Sequence, residues 1–320
     1  MDTLPTTNIT ELEQRRIATI ALGLAPNANS GRVNRLVSLF PAERIMHETR
    51  AILEDTSMLP SDAVWLGKAV GDNAQLLLDQ ATKQLALCKQ FNAHLITCAE
   101  RDYPLNLRES TAAPAILFVR GTLRADLDRC SVAIVGSRDS SNLGRKRAFV
   151  LAQEVIEDDW VVVSGLARGI DTASHEGALA AKGRTLAVVG CGLDRTYPPE
   201  NADLADRIAA SGAIISQFPF GTPPAAHNFP QRNKTMALLS LATVVIEAGE
   251  KSGAKMQADF ALNTHIPQRR VFFPRSLVDS QSENGWTRQF VRRGAEIVDK
   301  VEEVIPRLKL SVSQQSMLPM

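Results

Sequence analysis

The sequence predicts a doubly wound α/β fold with a mainly parallel sheet, preceded by a small all-helical module. Three observations lead there. From residue 131 onward, short apolar runs alternate with helical stretches. The runs end in loops rich in glycine, proline and cations. The chain before residue 93 carries helical spacing and no strand-like run. Strand–helix alternation at this spacing means βαβ units and hence parallel pairing.

The elements follow in order. In "TELEQRRIATIALGL", Leu12, Ile17, Ile20 and Leu22 stand near helical spacing behind Thr10, a fitting N-cap. "GRVNRLVSLF" reads as a second helix, and residues 61–92 hold one or two more. "AHLITC" (93–98) and "AILFVRG" are short strands, with Tyr-Pro and Ala-Pro turns around them. The later strands are expected at 132–135, 161–163, 186–189, 213–216, 243–246 and 270–273. The helices between them are expected at 142–157, 171–182, 201–211, 231–240 and 254–263. The domains expected are residues 1–88 for the helical module, 89–308 for the α/β domain and 309–320 for a disordered tail.

With 44% hydrophobic and 22% charged residues, the chain has the profile of a soluble globular protein with a real core. A net charge of +1 names no partner, so any basic site is local. Cys88, Cys98, Cys130 and Cys191 form no C-x-x-C pair, predict no metal site and suit a reducing compartment. The first residues show no secretory pattern, and no apolar run approaches the roughly 18 residues of a membrane span. The expected location is cytoplasmic.

Ligands of a doubly wound sheet bind beyond the carboxyl ends of its strands. Those ends are "GSRDSSNLG" (136–144), "SGLARGID" (164–171), "GCGLDRTYPPEN" (190–201), "SQFPFGTPPAAHNFPQRNK" (216–234) and "EAGEKSGAK" (247–255). Each carries an Arg or Lys. One such loop alone reads as a strand stop with a surface charge; their convergence on one edge reads as a phosphate site. Glycine lets backbone approach a ligand, helix N-termini offer free N–H groups, and arginine adds bidentate contacts. Phe229 beside Arg232, Asn233 and Lys234 has the make-up of a single-strand groove, where bases stack and phosphates pair; core packing of Phe229 is the equal alternative.

Neither the dinucleotide fingerprint nor the P-loop is present, so no nicotinamide or other cofactor is expected. Catalytic groups are thin. His175 has the means for acid/base work but suits packing better, and Cys191 fits as a small residue between glycines rather than a nucleophile. Glu247 either reaches a ribose or anchors a loop through backbone N–H groups.

In order, "VAIVGSR", "VVSGLARGIDTASHEGAL", "GCGLDRTYPPEN", "FPFGTPPAAHNFPQRNKTMALLS" and "VVIEAGEKSGA" resemble the DprA/Smf family of DNA-processing proteins over about residues 93–298. The resemblance implies an extended Rossmann fold and a homodimer formed through it. It implies a protein that binds and protects incoming single-stranded DNA and loads the RecA recombinase in natural transformation, without enzymatic activity. By that resemblance the family's motif positions fall on Arg138, Arg168, Phe229, Arg232, Asn233, Lys234, Glu247, Ser252 and Gly253; taken with the strand-end loops, the expected binding residues are Gly136, Ser137, Arg138, Ser164, Gly165, Arg168, Gly169, Phe229, Arg232, Asn233, Lys234, Lys251, Ser252 and Gly253. Arg138 and Arg168 are expected side by side on the groove floor, with "FPQRNK" as its wall.

The chain departs from the family pattern at Gln257, at Thr287 where Asn is common, in the missing "PG" after "FFP", and in its weak likeness to the family's N-terminal module. No winged-helix domain is expected after residue 308. These departures suit a specialised paralogue, for instance in phage defence. Two other readings stay open: a Rossmann protein that senses or processes free nucleotides, although "EAGEKSGAK" lacks the "PGGxGTxxE" pattern of nucleoside-monophosphate hydrolases, and an adaptor whose loops bind only protein.

Overall fold

The Thr10 hydroxyl accepts from the Glu13 N–H (3.2 Å), and the Glu13 carboxylate accepts from the Thr10 N–H (3.2 Å). This reciprocal cap satisfies two orphan donors and starts α1 (Glu11–Leu24), whose buried side chains include Ile17, Ile20 and Leu22. Asn29 caps α2 (Ser30–Leu39). Then come α3 (Ala42–His47), α4 (Thr49–Ile52), α5 (Pro60–Ala69, with proline in its first turn), α6 (Ala74–Gln90) and β1 (His94–Thr97). Asp62 on α5 is buried between Arg35 Nε (2.9 Å) and Arg32 Nε (3.1 Å), which hold its carboxyl below the usual range. The Arg32 guanidinium also lies 5.0 Å over the Trp65 ring.

The computed structural model describes residues 10–263 and 269–315, in two compact units. One holds the chain to Glu100 together with Pro114–Leu117, the other Arg101–Ala113 and the chain from Phe118. The division thus falls later than the 88/89 boundary expected from sequence, because α1 and α6 both pack on β1.

The second unit contains α7 (Leu105–Arg108), most of β2 (Ile116–Gly121), and then a regular alternation. It runs β3 (Ser131–Val135), α8 (Asn142–Glu157), β4 (Val161–Ser164), α9 (Ile170–Ala180), β5 (Thr185–Val189), α10 (Ala202–Ser211) and β6 (Ala213–Ser216). It continues with α11 (Asn228–Leu239), β7 (Ala242–Val245), α12 (Gly253–Leu262) and β8 (Arg270–Pro274). The sequence reading places these strands and helices within a few residues. It assigns no strand or helix past residue 273, where the structure adds α13 (Arg275–Asp279), α14 (Trp286–Arg292), β9 (Glu296–Val298) and α15 (Val304–Gln315). Helix α15 passes the expected start of the tail at 309; residues 316–320 lie outside those described.

Strand order is β2-β6-β5-β4-β3-β7-β8-β9. The pairs from β6 to β9 are parallel, and β2 runs antiparallel to β6, so the sheet is mainly parallel as expected. Residues of β3 to β7 are buried throughout, because helices cover both faces. One face packs Val132, Ile134, Val162 and Val244 against Leu151 and Val155 of α8; the other packs Ala187, Val189 and Ile214 against Leu204 and Ile208 of α10. Each of these valine, leucine and isoleucine side chains contributes about 1.5–3 kcal/mol on burial.

Connectivity decides where a ligand sits. From β3 the chain builds outward through β4, β5 and β6, then returns to place β7 on the other side of β3. The loops after β3 and β7 therefore diverge, and a crevice opens at this switch point.

Candidate functional site

The crevice is a cavity of about 510 Å³. The loop after β3 lines it with Gly136, Ser137 and Arg138; the first turns of α11 contribute Phe229, Arg232 and Asn233; Lys251 and Ser252 before α12 and Gly253 at its first position complete the wall. Ser252 is the N-cap of α12, its hydroxyl accepting from the Ala254 N–H (3.2 Å). Asn233 Nδ2 donates to the Gly253 carbonyl (3.1 Å) and so ties α11 to the start of α12. The cations at the wall are Arg138, Arg232 and Lys251, facing Asp139 and Asp171.

Arg232 is the chemical centre. Its side chain is only 7% exposed, yet its partners are weak: Asp171 Oδ2 at 4.0 Å and the Met236 sulfur at 3.9 Å. Its Nε has no hydrogen-bond partner among the described residues. Burial pushes this guanidinium down and the Asp171 carboxyl up, with the attraction between the two opposing both shifts. Arg138 adds repulsion to Arg232, because both guanidinium groups flank one ring, 5.0 and 5.8 Å from the Phe229 centroid. A buried cation with one unused donor and weak partners, beside a second cation, has the chemistry to take up an anion rich in acceptors.

Nine of the expected residues come together here: Gly136, Ser137, Arg138, Phe229, Arg232, Asn233, Lys251, Ser252 and Gly253. Others stand elsewhere. Arg168 is exposed, pairs with Glu200 and is not among the residues that line the cavity. Gly169, with φ +74°, folds that loop back on Ser137 and Arg138, whose carbonyl oxygens lie 2.4 and 2.5 Å from the place of a Cβ. Ser164 is buried, its hydroxyl donating to the Ile134 carbonyl (2.7 Å). Lys234 is outside the lining, and Gly165 belongs to a smaller concavity that shares Arg138, Phe229 and Arg232.

The glycines also act differently from expectation. The space a side chain would fill at Gly136 is taken by Ile170 and the Glu247 carbonyl, and at Gly165 by the Arg232 guanidinium. These glycines let protein groups, rather than a ligand, come close.

Phe229 is half-buried, but its ring carries the two arginines rather than lying bare for a base. Glu247 is a loop anchor: its Oε2 accepts from the Ser141 N–H (2.9 Å) and its carbonyl from the Ser137 N–H (2.7 Å). His175 is fully buried and pushed down to about 3, first by desolvation and then by Arg232. Burial lifts the Cys191 thiol to about 11, far from a nucleophile's range.

Sequence reasoning missed the contribution of Gln257, which is fully buried at the cavity floor. With its amide turned to satisfy both ends, it donates to the Asn233 carbonyl (2.6 Å) and accepts from the Ala237 N–H (3.0 Å). The departure at 257 therefore braces α11 from beneath; its only signal in sequence is an amide inside an apolar helix. Among the described residues no group of three or more His, Cys, Asp or Glu gathers to hold a metal, and no helix is long and apolar enough to cross a membrane.

Residues 94–309 match the family model of DNA recombination-mediator protein A. DNA processing protein DprA of Bacillus subtilis is 33% identical over 70% of this chain and 74% of its own length. Protein Smf of a Synechocystis strain is 36% identical over 69% of this chain, a match spanning 55% of that longer protein. The X-ray structure of DprA from Streptococcus pneumoniae superposes with a TM-score of 0.67 at 28% identity, covering 94% of this chain and 98% of that one. DNA processing protein A from Helicobacter pylori, solved for its single-stranded DNA binding mode, gives a TM-score of 0.58 at 26% identity over 69% of this chain and 97% of that one.

Proposed function

The chain belongs to the DNA recombination-mediator protein A family, the DprA/Smf proteins, and from that membership we propose that it binds single-stranded DNA through the cavity between the β3 and β7 loops. The observation that carries the reading is Arg232: a buried guanidinium with an unused Nε, lining a cavity that also presents Arg138 and Lys251. Phosphate oxygens supply the acceptors that Asp171 and Met236 supply poorly. Arg138 is exposed and leaves the Phe229 ring to meet a phosphate, which frees the ring for a base.

The finer assignments follow the family. The chain acts as a binding protein rather than a catalyst, in the cytoplasm, as a homodimer. It protects incoming strands and hands them to a RecA-type recombinase during transformation. The bound strand also engages Ser137, Ser252 and the N–H groups at the start of α12, with Lys234 and Arg168 at the periphery.

Gel-shift titration of single- against double-stranded DNA over a salt series tests this. The expected result is preference for the single strand, little dependence on sequence, and affinity that falls with salt as counterions are released. Equal or absent binding of both forms at low salt refutes it.

A further inference from the structure

We infer that the cavity is an end-binding site, which takes the phosphomonoester of a nucleotide, at a strand terminus, in preference to a phosphodiester within a strand. This rests on the single-strand reading above and specifies which part of the strand enters. Exposure falls steadily from mouth to floor. Arg138 and Lys251 are exposed, Phe229 is half-buried, Arg232 and Asn233 are each 6% exposed, and Gln257 is fully buried. Arg232 therefore lines the cavity below the two exposed cations that a passing backbone meets first, with its guanidinium packed against Gly165.

The shape of the ligand decides what reaches that depth. A phosphodiester has two of its four oxygens tied to sugars, and both sugars must pass through the same mouth. A phosphomonoester has one tether and three free oxygens, and carries close to two negative charges near neutral pH. It can lower its free oxygens onto the guanidinium while its sugar and base remain beside Phe229. A volume of about 510 Å³ lies within the range of small-molecule sites, roughly 300–1,000 Å³, and suits one nucleotide rather than a running strand. The start of α12, capped by Ser252, faces the same space and favours the additional negative charge.

A strand end and a free nucleotide share this chemistry, and the test separates them. The full chain is titrated with one internally labelled oligonucleotide in four forms: 5′-phosphorylated, 3′-phosphorylated, hydroxyl-ended, and closed into a circle. Thymidine monophosphate is the competitor. One phosphorylated end is expected to bind roughly tenfold more tightly than the hydroxyl-ended and circular forms, the gain of hydrogen bonds to a charged group. The competitor should abolish that advantage and leave the residual binding in place. Equal affinity for all four forms overturns the inference and leaves single-strand binding standing. Binding of the monophosphate with no binding of any oligonucleotide assigns the cavity to a free nucleotide and overturns both the strand-end inference and the single-strand reading.

Discussion

Arg232 lies against Gly165 so closely that a Cβ there would fall 1.8 Å from Nη1 and 2.4 Å from Cζ of its guanidinium. The end of the β4 strand is thus shaped to seat one side chain from α11. Gly165→Ala is expected to push the guanidinium off this seat, since its surroundings are buried. Single-strand affinity should drop roughly tenfold as the charged hydrogen bonds are misplaced, and overpacking should cost about 1–3 kcal/mol of stability. Binding titrations beside denaturant melts read both. A stable variant with unchanged affinity shows that the Arg232 seat is irrelevant to binding.

Arg138 and Arg168 look equivalent in sequence and are not equivalent in the fold. Arg138 lines the cavity over Phe229, whereas Arg168 pairs with Glu200 outside it. Arg138→Ala should weaken single-strand binding and reduce the slope of log affinity against log salt by about 0.7, one phosphate contact on a single strand. Its stability cost should stay below about 1 kcal/mol, the worth of an exposed cation–π contact. Arg168→Ala should shift the slope much less. The reverse ranking removes the cavity from the binding path.

What was legible in sequence and what was not divides on physical grounds. Buried strands such as "VAIV" and "ATVV" announce themselves by apolar runs that stop at glycine or a cation-bearing loop, and α8 by its span from Asn142 to Glu157. Loop convergence followed from the topology alone, which is why most of the cavity wall was identified. The Arg232–Asp171 pairing and the turning of Arg168 to Glu200 depend on side-chain directions in loops, and no periodicity encodes those. Strand β9 is only three residues long, and α14 hides its pattern in two aromatics, Trp286 and Phe290, that pack on Phe273. Motif resemblance supplied the ligand class; the residues by themselves reach only as far as an anion.

Glu247 gives a prediction whose sign separates charge from geometry. Its Oε2 holds the Ser141 N–H at 2.9 Å and would lie 2.2 Å from a Cβ on Gly144, so the carboxylate is packed into the loop that carries Arg138. Charge alone says that Glu247→Ala, by removing a carboxylate near a phosphate site, strengthens DNA binding. Positioning says the opposite: the loop loses its anchor and Arg138 its place. Weaker binding is expected, with a stability loss of about 1.5–3 kcal/mol for a charge-assisted hydrogen bond. Tighter binding in a folded Glu247→Ala protein would falsify the anchoring role.

His175 makes the fold sensitive to acid. Thr185 Oγ1 donates to the Val162 carbonyl (3.0 Å), so at its contact with His175 Nδ1 (2.8 Å) the hydroxyl is the acceptor and Nδ1 carries the proton. A second proton would have to enter at Nε2, which is buried and has no partner among the described residues. Desolvation first, and the Arg232 charge second, therefore lower the imidazole from 6.5 to about 3. Between those values the unfolded chain takes up a proton that the native state refuses. The contribution to stability is complete above pH 6.5 and is lost as pH falls toward 3, at about 1.4 kcal/mol per pH unit for one proton. His175→Gln keeps a donor for Thr185 and cannot titrate. Denaturant melts at a series of pH values should show wild type losing stability below pH 6.5 more steeply than His175→Gln, by the slope of one proton. Parallel curves for the two proteins show that the native imidazole does take up that proton, which the partnerless Nε2 forbids.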